Sequence, residues 1–143
     1  MDTAMAWRAT KAPVASSRTD DIWFSDTQTG WAANSDGTIV YTKDGGDTWA
    51  IQFYDEDLYF RCLGFASPQR GWCGTLTPGR TLFETADGGT AWTPVANLPA
   101  LAPPAVCGMS VVSDQVMYAS GTNYPNRPSG MMKTLDGGAT WRA

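Results

Sequence analysis

The sequence predicts an all-β fold of four-stranded antiparallel units in series, on the strength of two recurring landmarks and one absence. Thr-Lys-Asp-Gly-Gly-Asp-Thr-Trp ends at Trp49, Thr-Ala-Asp-Gly-Gly-Thr-Ala-Trp at Trp92, and Thr-Leu-Asp-Gly-Gly-Ala-Thr-Trp at Trp141. These tryptophans stand 43 and 49 residues apart, close to the length of one four-stranded propeller blade. A second landmark precedes the box: Phe24 with Gly30-Trp31 in the first unit, Phe65 with Gly71-Trp72 in the second, and the degenerate pair Val111 and Tyr118 in the third. No stretch carries the helical apolar period.

The turns set the strands in order. Asp21 to Ser25, Gly30 to Asn34 and Thr38 to Thr42 are short aromatic and β-branched runs, separated by Asp26-Thr27-Gln28-Thr29 and by Ser35-Asp36-Gly37. Asp-Gly between apolar runs signals a hairpin. The box then turns the third strand into a fourth that begins at Trp49. The second unit repeats the scheme with Pro78-Gly79 at its middle hairpin, and the third has a longer loop from Asn123 to Gly130 with two prolines. A worn box opens the chain: Asp2 to Ala9 matches Asp136 to Ala143 at Asp, Ala, Trp, Arg and Ala, with a one-residue slip and both glycines lost. The expectation is one partial propeller over 1–143, with repeats at about 8–49, 50–92 and 93–141 and a degenerate box at 2–7.

Composition removes several function classes. The 143 residues carry 10 Lys plus Arg, 14 Asp plus Glu and no His, for a net charge of -4. Scattered basic residues at that balance argue against a nucleic-acid surface. The lack of His removes Ser-His-Asp and Cys-His catalysis and His-bound metals at once, so no cofactor is expected. No apolar run reaches the length of a membrane helix, and the N-terminal residues lack the charged-then-apolar order of a signal peptide, which reads as a soluble chain. Cys62, Cys73 and Cys107 allow at most one internal disulfide. Buried thiols are expected, with a Cys62 to Cys73 bridge left open.

The box residues have local reasons to be there. The carboxylates of Asp44, Asp87 and Asp136 can accept from backbone N–H groups of the turn. Gly45-Gly46, Gly88-Gly89 and Gly137-Gly138 can take positive φ. Trp49, Trp92 and Trp141 can plug the turn against the sheets while each indole N–H finds an acceptor. Three equivalent turns in successive blades point away from one another, so a structural staple is expected rather than a metal cluster or a set of catalytic acids. Asp36-Gly37 reads as a hairpin, because the further oxygen ligands of a calcium loop are missing.

These boxes resemble the Asp-box (BNR) repeats of sialidase and sortilin-type propellers. With the Gly-Trp-Ala/Cys landmark, the chain is most similar to the photosystem II stability/assembly factor-like family over roughly residues 20–143. That resemblance implies a non-catalytic scaffold for protein binding or complex assembly, docking through basic patches on the propeller face. The rival is a sialidase-like glycoside hydrolase or a carbohydrate-binding module. Its carboxylate pair has poor candidates in Glu84 on a strand and in the acidic loop Asp55-Glu56-Asp57. Arg61, Arg70 and Arg80 are the candidate partner contacts, joined by Tyr124 on the long third loop. Trp23, Tyr54 and Tyr59 are further aromatics without a repeat role.

Three blades cannot close a ring, since propellers need about four to eight, and two apolar faces would stay open. The expectation is a C2 homodimer forming a six-bladed ring, each N-terminal strand completing the last blade of the other chain. The runner-up is a piece of a longer propeller. The expected partner is an unidentified protein or carbohydrate, with no nucleic acid and no membrane insertion.

Overall fold

Tight turns between short β-rich runs give the first sheet four antiparallel strands: β1 (Thr19–Phe24), β2 (Gly30–Asn34), β3 (Thr38–Thr42) and β4 (Ala50–Tyr54). The second sheet repeats the order with β5 (Phe60–Phe65), β6 (Gly71–Thr75), β7 (Leu82–Thr85) and β8 (Thr93–Pro94). The third contains β9 (Gly108–Val111), β10 (Met117–Gly121) and β11 (Gly130–Thr134). This computed structural model describes residues 9–15, 17–121, 126 and 128–143. The worn box at 2–7 with Trp7, and Tyr124, lie outside the described residues. No helix forms among the described residues.

The third sheet holds three strands among the described residues. Its fourth-strand position holds only a bridge between Lys133 and Arg142, in the place where Tyr41 pairs with Ala50 and Glu84 with Thr93. The Asp36-Gly37 hairpin forms as expected. Gly37 takes φ 85°, and a Cβ there would fall 1.9 Å from the Asp55 carbonyl oxygen.

The sheets stand side by side as propeller blades, with first strands packed in sequence: β1 lies against β5 and β5 against β9. The core therefore lies between blades. Trp31, Ala33 and Ile39 of blade 1 meet Leu63, Phe65 and Phe83 of blade 2 in one cluster. Cys62, Trp72 and Leu82 of blade 2 meet Met117, Ala119 and Met132 of blade 3 in the other. Trp31 stacks on Phe65 with ring centroids 3.9 Å apart, a pairing worth about 0.5–1.5 kcal/mol beyond area burial. Trp23 packs, partly buried, against the first cluster, which is the role the repeat did not reveal.

Each box closes within its own blade. Asp44 Oδ1 accepts the Thr48 N–H at 2.8 Å, Asp87 Oδ1 that of Ala91 at 2.9 Å, and Asp136 Oδ1 that of Thr140 at 2.8 Å. The threonine two residues before each Asp is as important. Thr85 is 2% exposed; its hydroxyl donates to Asp87 Oδ1 at 2.9 Å and accepts the Gly89 N–H at 2.8 Å. Thr42 and Thr134 do the same in their boxes. The paired glycines all lie between φ 68° and 90°.

Between blades, the Gly-Trp landmark docks on the following box. Trp31 Nε1 donates to the Gly88 carbonyl at 3.0 Å, and Gln52 Nε2 donates to the same oxygen at 3.0 Å. Trp72 lies over Gly138, where a Cβ would come within 2.9 Å of the indole. Trp49 donates to its own Gly46 carbonyl at 3.0 Å. The buried indoles of Trp92 and Trp141 find no acceptor among the described residues, so the expectation of an acceptor for every box tryptophan holds for the first box alone. In the second box Trp31 takes the Gly88 carbonyl, the equivalent of Gly45 and one residue before the carbonyl that Trp49 uses in the first.

Two outcomes follow for stability. Thr85→Val keeps the shape but leaves the Gly89 N–H and the Asp87 carboxylate each short of a partner, so urea unfolding should show a loss of about 1–3 kcal/mol. The box carboxylates are also acid-sensitive. Hydrogen bonds from Thr140 and Thr134 hold the Asp136 carboxyl down to about 2, and Asp44 and Asp87 are lowered by equivalent contacts. A depressed folded pKa contributes stability that is fully present above the unfolded value of about 3.9 and is lost as pH falls through the folded value. The melting temperature should therefore drop between about pH 4 and pH 2. Asp136→Asn should melt lower at pH 7 and show a smaller acid drop.

Candidate functional site

Two equivalent β-bulges build the site. In the β1–β2 ladder Thr19 pairs with Asn34 and Asp21 with Ala33, leaving Asp20 as the extra residue. In the β5–β6 ladder Phe60 pairs with Thr75 and Cys62 with Gly74, leaving Arg61 as the extra residue. A bulge re-aims the side chain it inserts, and these two aim at each other across the blade boundary. Arg61 Nη1 donates to Asp20 Oδ1 at 2.8 Å, and Arg18 Nε reaches the same oxygen at 2.8 Å. Cys107 stands in the matching place one residue before β9. The neighbouring Asp21 adds a second tie, its Oδ2 accepting the Leu63 N–H at 2.8 Å.

A cavity of about 780 Å³ opens where the three first strands begin, lined among others by Arg18, Tyr59, Arg61, Thr77 and Cys107. That volume falls in the range of ligand pockets. The Asp20 side chain is 6% exposed and receives two guanidinium groups, so this trio carries one positive charge in excess. The Arg18 guanidinium lies 5.8 Å from the Tyr59 ring centroid, and Tyr59 first, then Asp20, raises its pKa above the ordinary value. Arg61 Nε and Asp20 Oδ2 are buried with no partner among the described residues. Guanidinium forks facing a pocket are suited to a carboxylate, and the Tyr59 ring supplies an amphipathic wall.

The other candidate arginines sit elsewhere. Arg70 Nη2 pairs with Glu84 Oε2 at 2.6 Å and stacks over Trp72. Arg80 Nη2 pairs with Asp55 Oδ2 at 2.6 Å and lies over Phe83. Of Arg61, Arg70 and Arg80, the cavity lining includes Arg61. Tyr54 is 61% exposed away from it. Arg18 and Asp20 were not singled out by the repeat pattern. Yet a signal was present, since Asp20, Arg61 and Cys107 each stand four residues before the landmark Phe24, Phe65 and Val111.

Glu84 and Asp55 are thus committed to ion pairs, and no group of three or more His, Cys, Asp or Glu gathers as a metal would need among the described residues. Cys62, Cys73 and Cys107 form no disulfide among the described residues. Cys62 faces the second core cluster and Cys73 the first, so they lie on opposite faces of one sheet and do not bridge. Burial pushes the Cys62 thiol up to about 12 and Cys73 well above its ordinary value. No helix of the described residues is long and apolar enough to cross a membrane.

Comparison with known proteins places the fold. A structure of YCF48 bound to a D1 peptide superposes with a TM-score of 0.69 at 22% identity, covering 89% of this chain and 41% of that one. YCF48 from Cyanidioschyzon merolae gives 0.66 at 22% identity, with 87% and 37% covered. A GH74 xyloglucanase from Xanthomonas campestris gives 0.61 at 18% identity, covering 80% of this chain and 20% of that one. At these identities the likeness shows the propeller fold, and the chain spans about two fifths of the YCF48 length. A search of curated protein sequences finds no match. The family model described as photosynthesis system II assembly factor YCF48 matches residues 1–95, and on that match, with the boxes and blades that carry it, the chain belongs to the YCF48 assembly-factor family of BNR propellers.

Proposed function

We propose that the chain is a non-catalytic propeller scaffold that docks a protein segment bearing a carboxylate at the mouth formed by Arg18, Tyr59 and Arg61. The observation that supports this reading is the pair of guanidiniums sharing one oxygen of a buried aspartate beside a cavity of about 780 Å³. Asp20 neutralises one guanidinium, and the second has charge left for a ligand. The D1 peptide held by the YCF48 neighbour supports a peptide as the ligand class here. Arg70, Arg80 and Tyr124 remain candidate contacts for a partner in this reading, with Arg70 at the opposite end of the β5–β6 ladder from Arg61 and Tyr124 outside the described residues. We propose further that two chains form the scaffold as a six-bladed ring, a reading supported by the exposure of Ile22 and Phe24 on blade 1 and of Tyr118 and Met131 on blade 3 among the described residues.

The rival reading, a glycoside hydrolase, draws on the xyloglucanase neighbour. It needs two carboxyl groups across one cleft, roughly 5 to 10 Å apart. Asp57 lines the cavity, and Asp20 beside it is already held by two arginines.

Fluorescence anisotropy with a labelled D1 peptide tests the scaffold. Arg61→Ala should weaken binding on the order of tenfold to a hundredfold, with binding falling further as salt rises. Unchanged affinity in Arg61→Ala, or reducing sugar released from xyloglucan by the wild type, would refute the reading. Light scattering on the full chain should give twice the 15.4 kDa chain mass for the ring.

A further inference from the structure

The cavity at the mouth is lined by charges of both signs. Arg18 and Arg61 stand on its wall, and so does Asp57. Tyr59, Leu76 and Pro78 add an apolar stretch to the same lining. The two guanidiniums, the Asp20 carboxylate they share and the Asp57 carboxylate sum to zero, so the mouth is a dipole rather than a positive well.

The fold makes no use of the Asp57 charge. Asp20 receives both guanidiniums, Asp21 accepts the Leu63 N–H, and Asp55 pairs with Arg80. The hydrogen bonds of Asp57 are those of its backbone, and among the described residues its carboxylate forms no ion pair. Its neighbour Glu56 is exposed as well, but does not line the cavity.

The loop that carries Asp57 is pinned from several sides. The Asp55 N–H donates to the Gly37 carbonyl at 3.0 Å, and the Leu58 N–H to the Asp55 carbonyl at 3.1 Å. The Asp57 N–H donates to Asp55 Oδ1 at 3.0 Å. The Thr77 hydroxyl donates to the Asp57 carbonyl at 3.2 Å and accepts the Tyr59 N–H at 3.0 Å. Leu58 anchors the loop in the first core cluster. A charge on so constrained a backbone gives up little freedom when it meets a ligand. At the arginine end, Arg61 Nε and Asp20 Oδ2 are buried without partners among the described residues, so that end has hydrogen bonds left to make.

We infer that the mouth takes a segment carrying both charges: a carboxylate for Arg18 and Arg61 and, close to it along the chain, a lysine or arginine for Asp57. This rests on the carboxylate docking proposed above. Asp57 then sets specificity by repulsion as well as attraction, because a segment with acidic residues alone would bring a like charge against it. A wholly basic segment would meet Arg18 and Arg61 in the same way.

The test uses the full chain and short labelled Gly-Ser peptides with one central Glu, flanked two residues away on either side by Lys, Gln or Glu. Anisotropy should rank them Lys over Gln over Glu for the wild type, with the Lys and Glu peptides on the order of tenfold apart in Kd. Asp57→Asn gives up no bond of the fold, so its circular dichroism should match the wild type, while the Lys and Glu peptides should come within about twofold of each other. Asp57→Lys should reverse the order. Glu56→Gln removes the same charge from the next residue and should leave the ranking in place. A wild type that binds the peptides alike, a ranking that survives Asp57→Asn, or an equal loss of ranking in Asp57→Asn and Glu56→Gln overturns the role of Asp57. Carboxylate docking stands in each of those cases if Arg61→Ala still weakens binding. A wild type that binds none of these peptides overturns both.

Discussion

Everything in this fold depends on an aromatic side chain of one blade reaching the turn of the next. A blade of four short strands has two faces, and both are apolar here. Neither face can be buried by the blade itself. Trp31 resolves this by stacking on Phe65 and donating to the Gly88 carbonyl, so one indole supplies both the area that drives association and the hydrogen bond that fixes where it stops. Trp72 over Gly138 repeats the contact without the indole hydrogen bond. The landmark therefore sets the spacing, and the shape of the turn receives it.

How much of this was legible in the sequence follows from how local each interaction is. The box motif is complete within eight residues, so its aspartates, paired glycines and strand boundaries were readable. β2 and β3 form at the positions the turns imply, Gly30–Asn34 and Thr38–Thr42. The buried threonines were quoted with the motif, but their role as the hub between the carboxylate and the second glycine needed geometry. The indole acceptors were misjudged at Trp92 and Trp141 because the same eight-residue pattern gives Trp49 its Gly46 acceptor and leaves these two without one among the described residues, a difference the motif does not encode. The bulges at Asp20 and Arg61 were hidden too. A one-residue register shift is invisible until both strands are placed, and a scan for clustered arginines finds Arg70 and Arg80, which the fold commits to Glu84 and Asp55.

The mouth of the blade row joins stability to the proposed recognition. Asp20 and Arg61 tie blade 1 to blade 2 and also shape the charge of the cavity, so the pair cannot be tuned for a ligand without loosening the boundary it spans. Arg18 is freer. It approaches the same carboxylate with a side chain 54% exposed, and its orientation can change at little cost to the blades. In the proposed docking role, such a division, with a rigid inner arginine and an adaptable outer one, would suit holding an extended segment and letting it go.

The offset of four residues ahead of each landmark gives every blade one vote at the mouth. Blade 1 casts Asp20, blade 2 Arg61 and blade 3 Cys107, and the boxes that hold the blades upright take no part in the choice. Scaffold and the proposed specificity are thereby written in separate columns of the same repeat. Duplicating, losing or reordering blades would shuffle the chemistry of the mouth like beads on a string, without a single change to the turns that keep the string together.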